Sequence, residues 1–348
     1  MAVLRPDQVD DLVNLTLSNF KRNKFVDLSM EFPEYISSRI FQKKKVSETG
    51  GPDIRFKVQK ANTGLARTTG LFSTDVTGVE DLTTEGVIPW SADTVNWSYD
   101  VDEPIFQSDR ETIVSDLMIR EHSCYNDIIE LREQHLWSAP ASSTANDIAP
   151  FGIPFWIQKD ATTTVDGAFN GGNPSGWTSG AASIDSTVHT RWKNWTFGFT
   201  DVTPDDLVRK VKKANYNTRF MAPHPHPELG FGKSDYSIFT TYAVREPLER
   251  LAESRNDNLG SDVAKYINNV VIGGVPVESV HYLDSNDSSN PLYGVNWKVF
   301  RPFILRGRNM RQTKKPAPFQ RNVRQVHYDT WYNYACYNRR ELWVGSQS

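Results

Sequence analysis

The chain has 348 residues, of which 38% are hydrophobic and 23% charged, so it can bury a substantial core in one large domain or in two or three smaller ones. Its 39 basic and 42 acidic residues give a net charge of −3, which argues against a protein that wraps nucleic acid over its whole surface, because such proteins carry a basic excess. The sequence shows neither a signal peptide nor the roughly 20-residue apolar run of a membrane span, so we expect a protein that is intracellular at synthesis.

The two cysteines form no disulfide framework. We expect Cys124 and Cys336 to be reduced, buried thiols of a cytosolic protein. The Asn-X-Ser/Thr triplets at Asn96 and Asn194 are then chance matches to a glycosylation signal.

The first fifty residues predict a short helix followed by an extended arm. Pro6 suits the first position of a helix. Apolar residues then recur at three- and four-residue steps, at Val9, Leu12, Val13, Leu17 and Phe20. The stretch VDLSMEFPEYISSRIFQKKKV has a mixed pattern, and we expect it to be extended.

The next segment predicts a long, thin, two-stranded excursion. Ile54, Phe56 and Val58 alternate with polar residues, and so do Val95, Trp97 and Tyr99. A polar tip rich in Gly and Thr lies between them and carries charges at Asp75, Glu80, Asp81 and Glu85. Because two isolated strands are marginal in water, something outside this segment must support them.

The longest helix is predicted next, from a capping box at Ser108 and Glu111 to Trp137, a length of about 45 Å. Its apolar side is formed by Ile113, Leu117, Cys124, Ile128 and Leu131. Its opposite side is expected to be a charged face made by Arg110, Glu121, Glu130, Arg132 and Glu133.

The region from Ala139 to about Phe199 is rich in Gly, Ser, Asn and Pro and predicts long loops. A helix then begins at Thr203, which acts as N-cap before Pro204, and ends near Asn215. The segments that follow predict a buried strand (YSIFTTY), a helix (AVREPLERLAESR), a short helical turn (GSDVAKYINNV), two strands joined at Gly-Gly (VVIGGVPVESVHYL) and a further strand (YGVNWKVFRPFILRG).

The chain ends in an aromatic stretch that predicts a late strand of a central sheet. One face would carry Val326, Tyr328, Thr330, Tyr332 and Tyr334, and the other face His327, Asp329, Trp331 and Asn333. Since large residues occupy both faces, we expect cover on both sides of the strand, with the long helix lying across it.

The search for chemistry yields no catalytic, cofactor-binding or metal-binding residue that we would assign. His224, His226 and Glu228 in PHPHPE could ligate a metal, but the intervening prolines favour a rigid surface loop. No nucleophile elbow, phosphate loop or Cys-X-X-Cys pair occurs. A basic cluster near the end of the chain could contact phosphates; it consists of Arg306, Arg308, Arg311, Lys314 and Lys315. A solvated loop or a contact with another subunit explains this cluster better. The same explanation applies to the lysine run from Lys43 to Lys45.

The order of parts resembles the major capsid protein of tailed bacteriophages, the Hong Kong ninety-seven-type fold. The stretches NVVIGGVPVESVHYLD and NPLYGVNWKVF are similar to the return from the family's axial domain, the A-domain, to its peripheral domain, the P-domain. YDTWYNYACYNRRELWVG, with Arg339 and Arg340, is similar to the closing segment. The resemblance implies an α+β fold with an N-arm (1–50), an E-loop hairpin and flanking strands (51–103), a P-domain spine helix over a sheet (104–140), an A-domain with crossover segments (141–290) and final P-domain strands (291–348).

The resemblance implies a structural, non-catalytic shell subunit that assembles into pentamers and hexamers of an icosahedral head around double-stranded DNA. The implied location is the virion, after assembly in the host bacterial cytoplasm, with packaged DNA contacted only weakly and no membrane. We expect a separate scaffolding protein, because the chain begins almost at the arm, as well as a portal and decoration proteins. Lys57 and Lys60 lie at the base of the E-loop, but no asparagine partner can be argued, so we expect no crosslink.

Three alternatives stay open. The same fold would serve an encapsulin-like nanocompartment, although no inner cargo-binding surface is recognisable. A metal-dependent enzyme would use His224 and His226. A glycan-binding module would use Trp177, Trp192 and Trp195, which we instead expect to pack the A-domain core.

Overall fold

The structure is a computed structural model that describes residues 29–72, 74, 78, 81–101, 110–143, 149–160, 166–220, 235–254, 270–316 and 322–347. Side chains are described in the same ranges, except for 110–117, 252–254 and 314–316. The predicted helix at 6–20, the capping box at Ser108 and the helical turn in GSDVAKYINNV lie outside the described residues.

The described elements alternate helices and strands along the chain. The helices are α1 (Ile36–Lys44), α2 (Arg110–Leu136), α3 (Ile153–Trp156), α4 (Arg209–Thr218), α5 (Tyr242–Ser254) and α6 (His281–Asn286). The strands are β1 (Val46–Glu48), β2 (Asp53–Gln59), β3 (Thr83–Pro89), β4 (Ser91–Asp100), β5 (Ala168–Gly171), β6 (Asn194–Phe199), β7 (Tyr236–Thr240), β8 (Val271–Ile272), β9 (Val275–Ser279), β10 (Leu292–Asn296), β11 (Phe300–Leu305), β12 (Arg311–Pro316), β13 (Val323–Cys336) and β14 (Trp343–Gln347).

A five-stranded sheet is built around β13, the longest strand. β4 pairs antiparallel with β13 along one side, from Ser91 opposite Tyr332 to Asp100 opposite Val323. On its other side β13 pairs first with β12 and then with β11, and β1 adds to β11 in parallel. The aromatic C-terminal stretch is therefore held as the central strand of a sheet, as the sequence predicts.

The long helix α2 lies across this sheet. Cys124 and Ile128 pack against Val326 and Tyr328, which confirms the predicted layer. All five residues of the predicted inner face of β13 are buried: Val326, Tyr328, Thr330, Tyr332 and Tyr334. Both cysteines are free and buried, as expected.

The outer face of β13 differs from the expectation of cover on both sides. His327 and Asp329 are only half-buried, and Trp331 is 39% exposed. Asn333 alone of the four predicted residues is fully buried, because its amide donates to the Pro89 carbonyl and its Oδ1 accepts from the Phe151 amide. Cover on both sides is thus limited to the end of the strand, where other segments of the chain cross it.

The seven-stranded sheet has the order β5-β6-β14-β10-β7-β9-β8. The π-helical turn Pro204–Val208 contributes Leu207 to the core on one face of this sheet, α4 contributes Val211, and α5 contributes Val244 and Leu248. The other face joins the main core through Phe239, Tyr293 and Val295. The predicted strand-and-turn at Gly273–Gly274 is present, and Thr203 caps its helix by accepting from the Asp206 amide.

The final strands are divided between the two sheets. β10 and β14 pair in the seven-stranded sheet, where Gly294 lies under Trp343 so closely that a Cβ would come within 2.0 Å of its ring. β11 to β13 belong to the five-stranded sheet. The strands after residue 291 therefore contribute to both sheets. The sharp turn at Arg339–Glu341 redirects the chain, so that β14 joins the seven-stranded sheet.

The hairpin consists of β2 and β3, with Ile54 opposite Ile88. The prediction that Val95, Trp97 and Tyr99 form its second strand is wrong, because these residues lie on β4 and pair with β13. The true partner of β2 is β3, with the sequence TTEGVIP, in which Gly86 stands where an alternating pattern needs an apolar side chain. The Phe56 ring occupies the space of the missing side chain and would lie 2.5 Å from a Cβ atom built on Gly86.

The arm is helical where an extended segment was expected. α1 buries Ile36, Ser37, Ile40 and Phe41, whose three- and four-residue spacing was hidden by the polar residues around them. The predicted charged face of α2 is also wrong at two positions, since Arg132 and Glu133 are buried. Both residues face α1 and the sheet, where they have polar partners described below.

We expect Tyr332→Ala and Tyr334→Ala to lower the free energy of unfolding by about 3–5 kcal/mol each, because both rings are fully buried among aromatic neighbours. Urea unfolding of the unassembled chain, followed by tryptophan fluorescence, measures the loss.

Two matched variants sharpen this prediction. Tyr334→Phe should be nearly neutral, because the Tyr334 hydroxyl has no hydrogen-bond partner among the described residues. Trp331→Ala on the exposed face should cost about 1 kcal/mol or less. Similar losses for Trp331→Ala and Tyr334→Ala would contradict the placement of the core.

Candidate functional site

The described residues offer no constellation for binding a metal ion. They contain no group of three or more His, Cys, Asp or Glu side chains that could hold a metal ion. His224, His226 and Glu228 lie outside the described residues, so the metal hypothesis has no structural test here. No described helix is long and apolar enough to cross a membrane.

The tryptophans considered for glycan binding belong to the core. Trp192 and Trp195 are buried, and Trp177 packs against Phe151 and Phe155 with ring centroids about 5 Å apart. Asn194 is fully buried, and its amide donates to the Gln158 carbonyl at 2.9 Å. Trp192, Trp195 and Asn194 are therefore inaccessible to a glycan, and Trp177 is partly buried against the core.

The projecting hairpin is the first candidate surface. Its base rests on the body, where the Val87 amide donates to the Ala182 carbonyl at 3.0 Å and Phe56 contacts Trp192 and Tyr337. At the far end Leu71 and Phe72, the hairpin tip, are fully exposed. Two large apolar side chains at the end of a thin projection indicate contact with another molecule, because exposing them to water does not stabilise an isolated chain.

The base of the hairpin carries the lysines considered for crosslinking. Lys60 forms an ion pair with Asp81 at 2.5 Å, and this partner lowers the pKa of Asp81. Lys57 is exposed on β2. No residue pairing for a crosslink follows from either position, so its absence stays a prediction.

The arm is latched to α2 by buried acceptors. Glu133 accepts from the Ser37 amide at 2.7 Å and from Trp137 Nε1 at 2.8 Å, and burial raises the pKa of its carboxyl. One helical turn earlier, Glu130 accepts from the Tyr35 hydroxyl at 2.7 Å. The N-terminal amides of α1 thus point at a carboxylate, which is the favourable arrangement for a helix start.

Arg132 completes the latch from the side of the sheet. Its Nη2 donates to Thr330 Oγ1 at 2.8 Å. Its guanidinium lies 4.9 Å from the centre of the Phe41 ring and 5.8 Å from that of Tyr332. Arm, long helix and central strand therefore meet at one polar joint inside the core.

The turn between β13 and β14 holds a further buried cation, Arg339, which is fully buried. Its Nε donates to the Trp156 carbonyl at 2.8 Å, its Nη1 to the Trp192 carbonyl at 3.1 Å and its Nη2 to the Gly172 carbonyl at 2.8 Å. Nη2 also lies 3.2 Å from Asn194 Oδ1. Burial lowers the pKa of Arg339 to about 10, and the carbonyl dipoles replace the water that its charge has lost.

The basic cluster predicted near the end of the chain extends from the turn between β11 and β12, which carries Arg306 and Arg308, into β12. Arg306, Arg308 and Arg311 are exposed, as a solvated loop requires, while the side chains of Lys314 and Lys315 are not described. The sequence pointed to this cluster and to the lysine run of α1. It gave no sign of a second group of arginines, Arg191, Arg219 and Arg340, because those residues are far apart in the chain.

Comparison with known proteins gives similarity in structure but not in sequence. No protein-family model matches the chain, and no curated protein sequence matches it. A chain of the cyanophage A-1(L) capsid asymmetric unit matches with a TM-score of 0.60 at 14% identity, covering 95% of this chain and 98% of that one.

Two further solved structures match over similar lengths. The capsid of a native GTA particle gives a TM-score of 0.56 at 9% identity, covering 96% of this chain and 98% of that one. The asymmetric unit of the bacteriophage PhiM1 mature capsid gives 0.51 at 10% identity, covering 93% and 90%. The chain therefore has the α+β fold of phage capsid proteins, which is the fold that the sequence resemblance implied.

We expect Arg339→Met to lower the free energy of unfolding by about 3 kcal/mol or more, because it leaves several buried carbonyls without a donor at about 1–3 kcal/mol each. Urea unfolding measures the loss. Arg340→Met in the neighbouring position, which makes no described hydrogen bond through its side chain, is the matched control and should cost clearly less. Equal losses would contradict the role of the Arg339 carbonyl contacts.

We expect Glu133→Gln to loosen the arm, because glutamine has one acceptor oxygen for two donors and turns its NH₂ group toward one of them. The loss should be about 1–3 kcal/mol. Hydrogen exchange of the amides of α1 should accelerate at least tenfold, as read by mass spectrometry. Asp127→Asn, an exposed position on the same helix, should leave exchange unchanged. Unchanged exchange in Glu133→Gln would disprove the latch.

Proposed function

We propose that this chain, which has the fold of phage major capsid proteins, is a shell subunit that self-assembles into an icosahedral head enclosing a double-stranded DNA genome. The observation that carries the proposal is the projecting hairpin with its exposed apolar tip, on a fold shared over nearly the whole chain with capsid chains. The proposed location is the virion, after assembly in the cytoplasm of a bacterial host.

The exposed apolar tip of the hairpin supports the proposed shell role independently of the similarity to capsid structures. A hairpin that contacts its own body only at the base leaves Leu71 and Phe72 in water. In a closed lattice the same hairpin can lie on a neighbouring subunit and bury those side chains, at about 1.5–3 kcal/mol for each one fully buried. Each subunit both gives and receives such a contact, so small contacts sum to a stable shell.

The parts of the fold receive proposed roles. Residues 1–50 act as the N-arm, with α1 latched to α2. Residues 51–103 act as the E-loop together with β4, and 104–140 supply the spine helix of the P-domain. Residues 141–290 form the A-domain, to which the seven-stranded sheet adds β10 and β14. The remaining strands of 291–348 complete the P-domain sheet.

The proposed partners follow from the capsid role. The first partner is the chain itself, in pentamers and hexamers. A separate scaffolding protein, a portal and decoration proteins are proposed on the family resemblance alone. The role is structural and non-catalytic, and the alternative readings as an encapsulin, a metal enzyme or a glycan-binding module draw no support from the comparisons.

Assembly of the purified chain, with and without coexpressed candidate scaffolds, tests the proposal. Light scattering and negative-stain microscopy should show closed shells or pentameric and hexameric rings. A monomer under every condition would overturn the proposed function.

We expect Leu71→Ser combined with Phe72→Ser to reduce assembly at least tenfold while leaving the fold intact, because the tip makes no contact with its own body that would be lost. Shell yield by light scattering and thermal unfolding of the unassembled chain separate the two effects. Val188→Ser, an exposed apolar position on the body, serves as the control. Unchanged shell yield in the tip variant would show that the tip is not an assembly contact.

A further inference from the structure

Three arginines that are distant in sequence meet on one surface of the seven-stranded sheet. Arg340 lies with its guanidinium carbon 4.6 Å from the ring centres of both Phe169 and Phe220. Arg191 precedes Trp192, whose carbonyl accepts from Arg339 Nη1 at 3.1 Å, so the chain places Arg191 beside Arg340. Its charge lowers the pKa of Arg340 further, after burial as the larger cause. Arg219 lies 5.9 Å from the ring centre of Tyr236. We call Arg191, Arg219 and Arg340 the arginine patch.

Contacts made by aromatic side chains hold the segments of the arginine patch together. The Tyr236 hydroxyl bonds to the carbonyls of Thr218 and Glu341, at 2.9 and 3.0 Å, which brings the segments that carry Arg219 and Arg340 side by side. Phe220 follows Arg219 directly and packs against Phe169 with ring centroids 6.2 Å apart. The patch is therefore a fixed feature of the fold and not a set of unrelated surface side chains.

The charges of the arginine patch are not neutralised within the described part of the chain. None of the ion pairs there involves any of its three guanidinium groups, and none of the three donates a side-chain hydrogen bond. The nearest carboxylate in sequence, Glu341, is turned away and accepts from Asn296 at 2.6 Å and Asn338 at 2.9 Å. Like charges held close together without a counterion cost energy, so the surface is suited to a polyanion.

The chemistry of the patch favours phosphate as the anion. A guanidinium lying on aromatic rings keeps its planar fork of N–H donors free at the edge, which matches two oxygens of one phosphate. Phe220 is 43% exposed beside it and offers an apolar surface to a sugar or base. Arg191 also lines a shallow cavity together with His189 and Asn62.

We propose that the arginine patch binds the phosphodiester backbone of duplex DNA without sequence preference. Identifying that DNA with a packaged genome rests on the proposed function, whereas the binding itself does not. With three cations on a chain of net charge −3, the contact is weak and strongly dependent on salt. Such weak binding agrees with a shell that contacts its packaged DNA at defined points and does not bind it elsewhere.

The test uses the full chain and a fluorescein-labelled 20-base-pair duplex, with fluorescence anisotropy between about 25 and 150 mM salt. The wild-type chain should show a slope of log K against log salt of about −2.7 for three contacts. Arg191→Gln combined with Arg219→Gln should weaken binding at the lowest salt about tenfold and reduce the slope by about two. Both side chains are exposed and make no described hydrogen bond, so the fold should be unaffected.

The matched control is Arg306→Gln combined with Arg308→Gln, which removes the same charge from the exposed turn between β11 and β12. It should keep the wild-type slope. Equal losses in the two double variants would overturn the assignment to the arginine patch, and so would the absence of duplex binding by the wild-type chain at the lowest salt. Polyglutamate of equal charge that competes as well as unlabelled duplex would mark the patch as a site for an acidic protein surface.

Light scattering on the same samples distinguishes this outcome from failure of the proposed function. Loss of DNA binding with normal shells overturns only the patch. Normal DNA binding by a chain that never assembles overturns only the shell role.

Discussion

The architecture depends on one buried guanidinium, that of Arg339, at the turn where the chain leaves the five-stranded sheet for the seven-stranded one. Its donors reach the carbonyls of Trp156, Gly172 and Trp192, which belong to three separate segments of the loop-rich region. That region has few strands of its own and would otherwise leave these carbonyls unsatisfied in the core. A cation without a carboxylate partner is costly to bury, and here several oriented dipoles offset that cost together.

Buried charged side chains also join separate segments of the chain where α2 meets α1 and the central strand β13. Arg132 and Glu133 lie next to each other on α2, yet they serve different partners. Arg132 binds the central strand through Thr330, and Glu133 binds the start of α1 through the Ser37 amide. Separate parts of the fold are thus joined by polar contacts inside an aromatic core, whereas the hairpin tip keeps its apolar residues outside.

Much of the fold could be predicted from local pattern. The long helix, the capped helix at Thr203, the strand pair at Gly273–Gly274 and the inner face of β13 all follow from periodicity and turn chemistry, which act over a few residues. The partner of β2 could not be predicted, because Gly86 breaks the alternation and its missing side chain is replaced by the ring of Phe56. The helix α1 was hidden for another reason, since polar residues surround its few buried apolar positions.

The sequence by itself determined the class of the protein: an α+β chain with a projecting hairpin, a long helix and an aromatic central strand, without an evident catalytic motif. Only the tertiary structure decided which strands pair, that Arg132, Glu133 and Arg339 lie inside, and that Arg191, Arg219 and Arg340 lie together. The physical reason is the range of the interactions. Helices and turns depend on residues that are close in sequence. Other features depend on segments that only folding brings together, namely strand pairing, the burial of a charge and the formation of a charged surface.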